Sequence, residues 1–435
     1  MDYIPNILFA FVLIAGIGYF AFNVRKLIRN INLGKAKEIN DNKSERWKNV
    51  IMIALGQSKM VKRPVSGFFH IIVYVGFVII NIEVLEIIID GLFGTHRIFS
   101  SLGSVYGLLI GSFEVLATLV FIAVVVFWIR RNVINIKRFM SAEMKGWPKS
   151  DGNIILYFEM VLMALFLIMN ATDTSFQEMA SGNVISQYIA PLFSSFSDST
   201  VHIIERSAWW LHIVGILIFL NYLYFSKHLH ILLAFPNTYY GNIKPKGQFE
   251  NNDTVTKEVM LMMDPDADPF AAPAEDELDE TPAKFGASDV QDLSWVNLLN
   301  AYTCTECGRC TSECPANITG KKLSPRKIMM DTRDRLEEVG KNIDANKGVF
   351  VDDGKQLLND YITPEELWAC TSCNACTEAC PVSIDPLNII MEMRSYLVME
   401  ESAAPMELNN MMTNIENNGA PWPYNQMDRL NWKNE

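Results

Sequence analysis

Outside two short runs, this chain of 435 residues has no cysteine. Nothing is left over for structural disulfides or for a further thiolate site. Histidine is nearly as scarce, with six in all, so any site built on imidazole must draw on His70, His96, His202, His212, His228 and His230. No stripe of Lys and Arg follows a phosphate backbone, which excludes nucleic acid as a partner. Met1 to Pro5 carries no positive charge, whereas a cleavable signal peptide opens on one. Here Arg25, Lys26 and Arg29 follow the first apolar run instead.

The eight cysteines fall in two copies of one pattern. The first is Cys304-x-x-Cys307-x-x-Cys310-x-x-x-Cys314-Pro315, and the second is Cys370-x-x-Cys373-x-x-Cys376-x-x-x-Cys380-Pro381. This is the ferredoxin run for a pair of [4Fe–4S] clusters, in which the fourth cysteine of each run ligates the other cluster. The expected ligand sets are Cys304, Cys307, Cys310 and Cys380, and Cys370, Cys373, Cys376 and Cys314. Zinc needs four ligands and has no use for the longer C-x-x-x-C-P step twice. Disulfides need an oxidising compartment, and the topology below places these thiols in a reducing one.

Half of the chain is hydrophobic, unevenly placed. Apolar runs cover 7–24, 66–89, 106–129, 153–170 and 209–233. Each is close to the roughly 20 residues that span a bilayer as a helix, and five of them exclude a set of buried core helices. Lys and Arg concentrate in 25–63 and 130–149, while 91–104 and 173–206 carry only Arg97 and Arg206. The positive-inside rule then puts the N-terminus outside a bacterial inner membrane and everything after Phe235 in the cytoplasm. Much of the net charge of −12 lies in the soluble half. The stretch 264–283, rich in Asp, Glu, Ala and Pro, cannot bury enough apolar surface to fold alone, so 241–284 reads as an acidic linker.

Ionisable residues inside spans are expensive and point to function. His70 lies about one turn inside the second span and His230 about one turn from the end of the fifth, at matching depth. Two imidazoles at one level from two helices suit the axial positions of a b-type haem. His212 and His230 are 18 residues apart, which on one helix is about five turns and about 27 Å. His228 points away from His212 on that wheel and stands as the alternative to His230, because local unwinding would change the answer. Opposite His212 the second span offers Asn81, Glu83 and Glu86 but no histidine. His212 therefore either ligates a second haem, with His96 or His202 from the outer loops, or serves a quinone site beside the carboxylates. Glu114 and Glu159 are further carboxylates in or near spans, suited to pairing or to a proton path.

The expected fold class is thus an all-α membrane domain, a five-helix transmembrane cytochrome b bundle over 1–240, plus a helix-rich 2[4Fe–4S] ferredoxin-like domain. The latter occupies 285–435 and ends in a docking tail. Within it, Thr363-Pro364-Glu365-Glu366 reads as a helix start.

With His70 early in the second span and His212 and His230 in the fifth, the membrane half resembles the cytochrome b subunit of respiratory nitrate reductase and, more closely, that of heterodisulfide reductases. The soluble half resembles the ferredoxin-like, C-type component of heterodisulfide reductase, through Phe285-Gly286-Ala287-Ser288-Asp289, Trp295, Tyr302 to Cys310, and Thr319 to Arg326. The whole is similar to membrane iron–sulfur oxidoreductases that fuse these parts to a cysteine-rich CCG domain and work with electron-transfer flavoprotein and menaquinone. That family keeps two histidines on the second helix, where this chain has Met60 and Ile80 ten residues either side of His70. No cysteine follows Cys380, and the tail from Asn414 to Trp432 resembles the junction to the CCG domain. The resemblance implies that this domain is a separate polypeptide docking here.

The expected function is a membrane-anchored electron conduit. It would join a flavin-linked dehydrogenase, through the CCG-domain partner, two [4Fe–4S] clusters and one or two haems b, to the quinone pool. The alternatives are a quinol-oxidising arm for a cytoplasmic terminal reductase, a redox-driven ion pump, which five helices without internal repeats disfavour, and a membrane-anchored redox sensor.

Overall fold

The computed structural model describes residues 3–245, 247–249, 251–265 and 284–434. Five helices are long and apolar enough to cross a membrane: α1 (Ile4–Ile31), α2 (Pro64–Phe93), α3 (Ser104–Asn132), α4 (Trp147–Thr172) and α5 (Asp198–Tyr222). Each sequence signal has a local cause. Pro64 and Pro148 occupy first-turn positions where no N–H is needed. Ser197 caps α5 by accepting from Thr200 N. The helices pack in a closed ring in the order α1, α2, α3, α4, α5 and back to α1. Helix α1 turns Ile7, Phe11 and Ile14 outward, as a lipid-facing helix would.

The fifth span departs from expectation. Helix α5 tightens to a 3₁₀ turn at Leu223–Phe225 and then stops, because Ser226 is extended (φ −120°, ψ 147°). The Ser226 hydroxyl accepts from His228 N and the Asp151 carboxylate accepts from Lys227 N, so both backbone donors that follow the break are satisfied. A separate helix, α6 (His230–Tyr240), begins there. His212 and His230 thus do not share a helix, and the five-turn spacing between them does not apply.

The soluble half is also helical: α7 (Trp295–Thr303), α8 (Pro325–Ala345), α9 (Pro386–Met399) and α10 (Met406–Asn418). The expected helix start at Thr363 is present, and Thr363 and Glu366 form a capping box there. Within 241–284, an 11-residue helix covers Asp253–Met263; the acidic residues 266–283 lie outside the described residues. Helix α10 and the tail beyond it leave Met406, Ile415, Trp422 and Trp432 exposed.

The two halves share one core. Leu27 and Ile31 of α1 and Phe219 of α5 belong to the same buried cluster as Leu298, Ile328, Leu336 and Ile389. Asn30 Nδ2 donates to the Tyr302 hydroxyl (2.9 Å) in a buried position. Lys35 N donates to Leu293 O and Trp295 N to Lys35 O, so the chain leaving α1 pairs with the entry to α7. Gly34 permits this approach, since a Cβ there would stand 2.6 Å from Trp295 N.

Candidate functional site

The two cysteine runs fold alike. In each, the residue before the second cysteine (Glu306, Ser372) and the residue after it (Gly308, Asn374) adopt positive φ, between 52° and 69°. Two left-handed residues around one cysteine curl the backbone into a loop whose sulfurs converge. A short helix follows in each case, Arg309–Glu313 and Ala375–Ala379, and these two pack together. Cys314 and Cys380 end them in extended conformation.

The packing of the short helices exchanges the fourth cysteines. One cavity is lined by Cys304, Cys307, Cys310 and Cys380. Cys370 lies close enough to Cys314 and Cys373 for their charges to interact, and Cys376 to Cys370. All eight are free thiols. A tetrahedral zinc with bonds of about 2.3 Å draws its sulfurs to within about 4 Å of one another. Among the described residues, the one group of side chains within single-ion reach is His96, Asp173 and Glu205, far along the chain from the cysteines. The wider spacing of the thiols suits a cluster. Burial pushes Cys304 up to about 12 and Cys380 to about 11, so bare thiolates are unfavourable and cationic iron is the natural partner.

The histidines form two groups. His70 on α2 meets His228 and His230, which flank the start of α6; the three are near enough for their charges to interact. The rings of His228 and His230 are 5.4 Å apart. His230 Nδ1 is 3.0 Å from Lys227 O, while His228 Nε2 faces the Glu159 carboxylate at 3.7 Å. Burial pushes His228 down to about 3 and lowers His230 below its ordinary value as well. His70 Nδ1 is buried without a partner.

His212 is buried on α5. Its Nδ1 is 3.0 Å from Leu162 O, and its Nε2 is buried without a partner. A ring nitrogen fixed by a carbonyl with the other left open is the arrangement of a ligating histidine. His202 is exposed on α5, and His96 is half exposed and held by Asp173 (3.2 Å). Of the carboxylates expected near His212, Glu86 accepts from Phe99 N and the Tyr106 hydroxyl. Glu114 accepts from Ile185 N, Ser186 N and Asn170. Both hold outer loops in place. Asn81 bonds its own helix at Phe77 O. Glu83 alone keeps a buried oxygen, Oε2, unpaired.

Sequence reasoning passes over Glu306 and Lys227, two of the residues that join the two groups of ligands. Glu306, between Cys304 and Cys307, pairs with Lys227 beside His228, and with Arg333 at 2.8 Å. Arg309 donates to the carbonyls of Lys59 (2.9 Å) and Met60 (3.1 Å) just ahead of α2, and its charge reaches His70, Cys307 and Cys380. The first cysteine set therefore sits against the bundle end that holds His70, His228 and His230.

Residues 303–384 match the family described as 4Fe-4S dicluster domain. The soluble half carries a 4Fe-4S dicluster domain. The chain is 28% identical over 99% of its length to "Probable iron-sulfur-binding oxidoreductase FadF" of Bacillus subtilis, covering 61% of that protein. It is 25% identical over 98% of its length to the "EtfAB:quinone oxidoreductase" of Syntrophomonas wolfei, covering 59% of it. A quarter of the chain is 34% identical to half of a ferredoxin/F(420)H(2)-dependent CoB-CoM heterodisulfide reductase component of Methanosarcina acetivorans. No solved structure matches the chain. The resemblance read from the motifs holds: this is a relative of iron–sulfur oxidoreductases and heterodisulfide reductase subunits. The chain spans about three fifths of the length of the first two relatives.

Proposed function

We propose that this chain is the membrane-anchored electron-transfer subunit of a quinone-linked oxidoreductase. Cys304, Cys307, Cys310 and Cys380 would hold one [4Fe–4S] cluster, and Cys370, Cys373, Cys376 and Cys314 the other. His70 and His230 would hold haem b, and His212 a second haem or a quinone. The clusters and haem would supply one-electron carriers; the chain's own residues fix their order. The observation that carries the reading is the join just described, Arg309 and the Lys227–Glu306 pair placing the first cysteine set on the histidine end of the bundle.

On this reading α1 to α5 lie in a bacterial cytoplasmic membrane, with the N-terminus outside and the cluster domain in the cytoplasm. The basic ends of α1 and α3, at Arg29 and Arg130–Arg131, agree with that orientation. A cysteine-rich CCG domain would dock by the cluster domain and the exposed tail, and bring electrons from electron-transfer flavoprotein or another flavin-linked dehydrogenase. The quinone would be menaquinone, as in the resembled family.

The test is to purify the chain with its partners, reduce it, and follow its haem and cluster spectra on adding a menaquinone analogue. Reoxidation of both supports the proposal. Absence of haem, or a reduced haem indifferent to quinone, would sink it.

A further inference from the structure

The two cysteine sets sit in unlike electrostatic surroundings. Around the Cys304 set stand several cations drawn from both halves of the chain. Arg138, in the loop between α3 and α4, acts on Cys307. Lys59, ahead of α2, acts on Cys380, and Arg309 acts on both. Arg326 lines the same cavity and is 1% exposed. It donates to Arg138 O at 2.6 Å, and its guanidinium comes within 2.5 Å of where a Cβ on Gly308 would stand. That position, at φ +69°, is closed to a side chain on both counts.

The acids nearby are already engaged. Glu143 is bonded to Arg326 at 2.7 Å, and Glu306 to Lys227 and Arg333. The Nε atoms of Arg138 and Arg326 are buried with no acceptor. Set against Glu143 and Glu306, the cations Arg138, Arg309, Arg326, Arg333 and Lys227 leave positive charge in excess around this set; Arg309 and Arg326 are buried and Arg138 is half-buried.

Beside the Cys370 set stand Arg394 and Asp385. Arg394 acts on Cys370 and donates to Cys370 O at 2.6 Å, while Asp385 acts on Cys376. Backbone donors reach both sets: Ser372 N lies 3.4 Å from Cys370 Sγ and Ile384 N lies 3.3 Å from Cys380 Sγ. Cys373 is exposed, and water there favours reduction of its own set. That effect acts at one corner. Fixed cations act on the whole of the added charge, and the buried Arg309 and Arg326 more strongly than the same charges in water.

We infer that Arg138 and Lys59, supplied by the loops of the bundle, act with Arg309 and Arg326 to raise the reduction potential of the cluster at Cys304, Cys307, Cys310 and Cys380 above that of the cluster at Cys370, Cys373, Cys376 and Cys314. The inference rests on the ligation proposed above. An electron admitted at the exposed Cys373 face then settles beside the bundle; one electron moves, and no bond or proton moves with it. Arg138 is a positioning residue, and its effect is read as a potential.

The experiment is a redox titration of the full chain with its partners, followed by electron paramagnetic resonance, with C314S used to mark the Cys370-set signal. The unmarked signal should titrate at the higher potential. R138Q should make its reduction constant about tenfold less favourable, equivalent to about 59 mV for one electron. It should leave the marked signal in place, and R138K should restore the original value. If R138Q loses iron, K59Q gives the same reading with a shift of the same sign. A shift of both signals together, no shift in an iron-replete variant, or the reverse order in the unaltered chain would overturn the inference. Unaltered protein holding less iron than two cubanes require would instead refute the ligation beneath it.

Discussion

Lys227 and Glu306 form an ion pair from which water is excluded, their side chains 9% and 2% exposed. The lysine belongs to the break after α5 and the glutamate to the first cysteine loop. Lys227 also lies 3.6 Å from Asp151 and donates to Pro148 O, and Glu306 is shared with Arg333. Removing Glu306 takes a partner from both Lys227 and Arg333, which keep Asp151 and Asp334, so the cost falls below the about 3–5 kcal/mol of a fully broken buried pair. E306A should therefore lower the thermal unfolding midpoint and loosen the junction. Unchanged stability, together with unchanged protease resistance at 226–229, would show the pair to be incidental.

Haem content should separate the three clustered histidines. His70→Ala and His230→Ala should each remove a b-type haem and leave both clusters intact. His228→Ala should keep it, because Nε2 of His228 faces Glu159 rather than open space. A pyridine haemochrome assay beside iron and sulfide counts decides this, and loss of haem in the His228 variant alone would reverse the assignment.

Exchange of the fourth cysteines makes a selective prediction. Cys314→Ser should damage the cluster of the Cys370 run and spare that of its own run. Resonance spectra showing the opposite selectivity would establish uncrossed ligation.

At the other end of the bundle, Arg97 donates to Asp173 at 2.7 Å and to Asn170 at 2.8 Å, and His96 joins the same carboxylate. The bond to Asp173 holds His96 above its ordinary value of 6.5, against burial and the nearby arginines. A raised histidine contributes stability that is fully present below the unfolded value and lost as pH rises through the folded one. The loop contact should thus weaken on raising the pH from about 6.5 upward. The pair is half exposed, so its share is about 0.5 kcal/mol or less. Asp173→Asn should cost more, since Arg97 is only 8% exposed. Hydrogen exchange at residues 97–106 measures both, and a protection pattern indifferent to pH and to the substitution would exclude this role.

The cross-half bond from Asn30 to the Tyr302 hydroxyl is open to a milder test. Tyr302→Phe removes the acceptor but keeps the ring, leaving Asn30 Nδ2 buried, at about 1–3 kcal/mol. Equal unfolding midpoints for the two proteins would mean that water replaces the hydroxyl.

Four spans and the cysteine loops are legible in the sequence because their signals are local. Apolar length sets α1 to α4, and the C-x-x-C spacing sets the loops. The fifth span reads too far, past Phe225, because the apolar run continues through the break to Leu233. The signal available is Ser226, a capping residue inside that run, and the Asp151 that secures the break lies far earlier in the chain. The carboxylates divide in the same way. Glu86 and Glu114 hold backbone groups of outer loops, which no spacing within α2 or α3 reveals. The join through Arg309, Lys227 and Glu306 is invisible for the same reason, since each contact links segments far apart in the chain.

The core that Leu27, Ile31 and Phe219 share with Leu298, Leu336 and Ile389 has a kinetic meaning. A carrier hung on a tether must find its docking place for each electron, and its rate falls with solvent viscosity and with tether length. Here the carrier is moored, so shortening the acidic stretch 266–283 or thickening the solvent should leave passage between the halves unchanged, and only the meeting with an outside donor should slow.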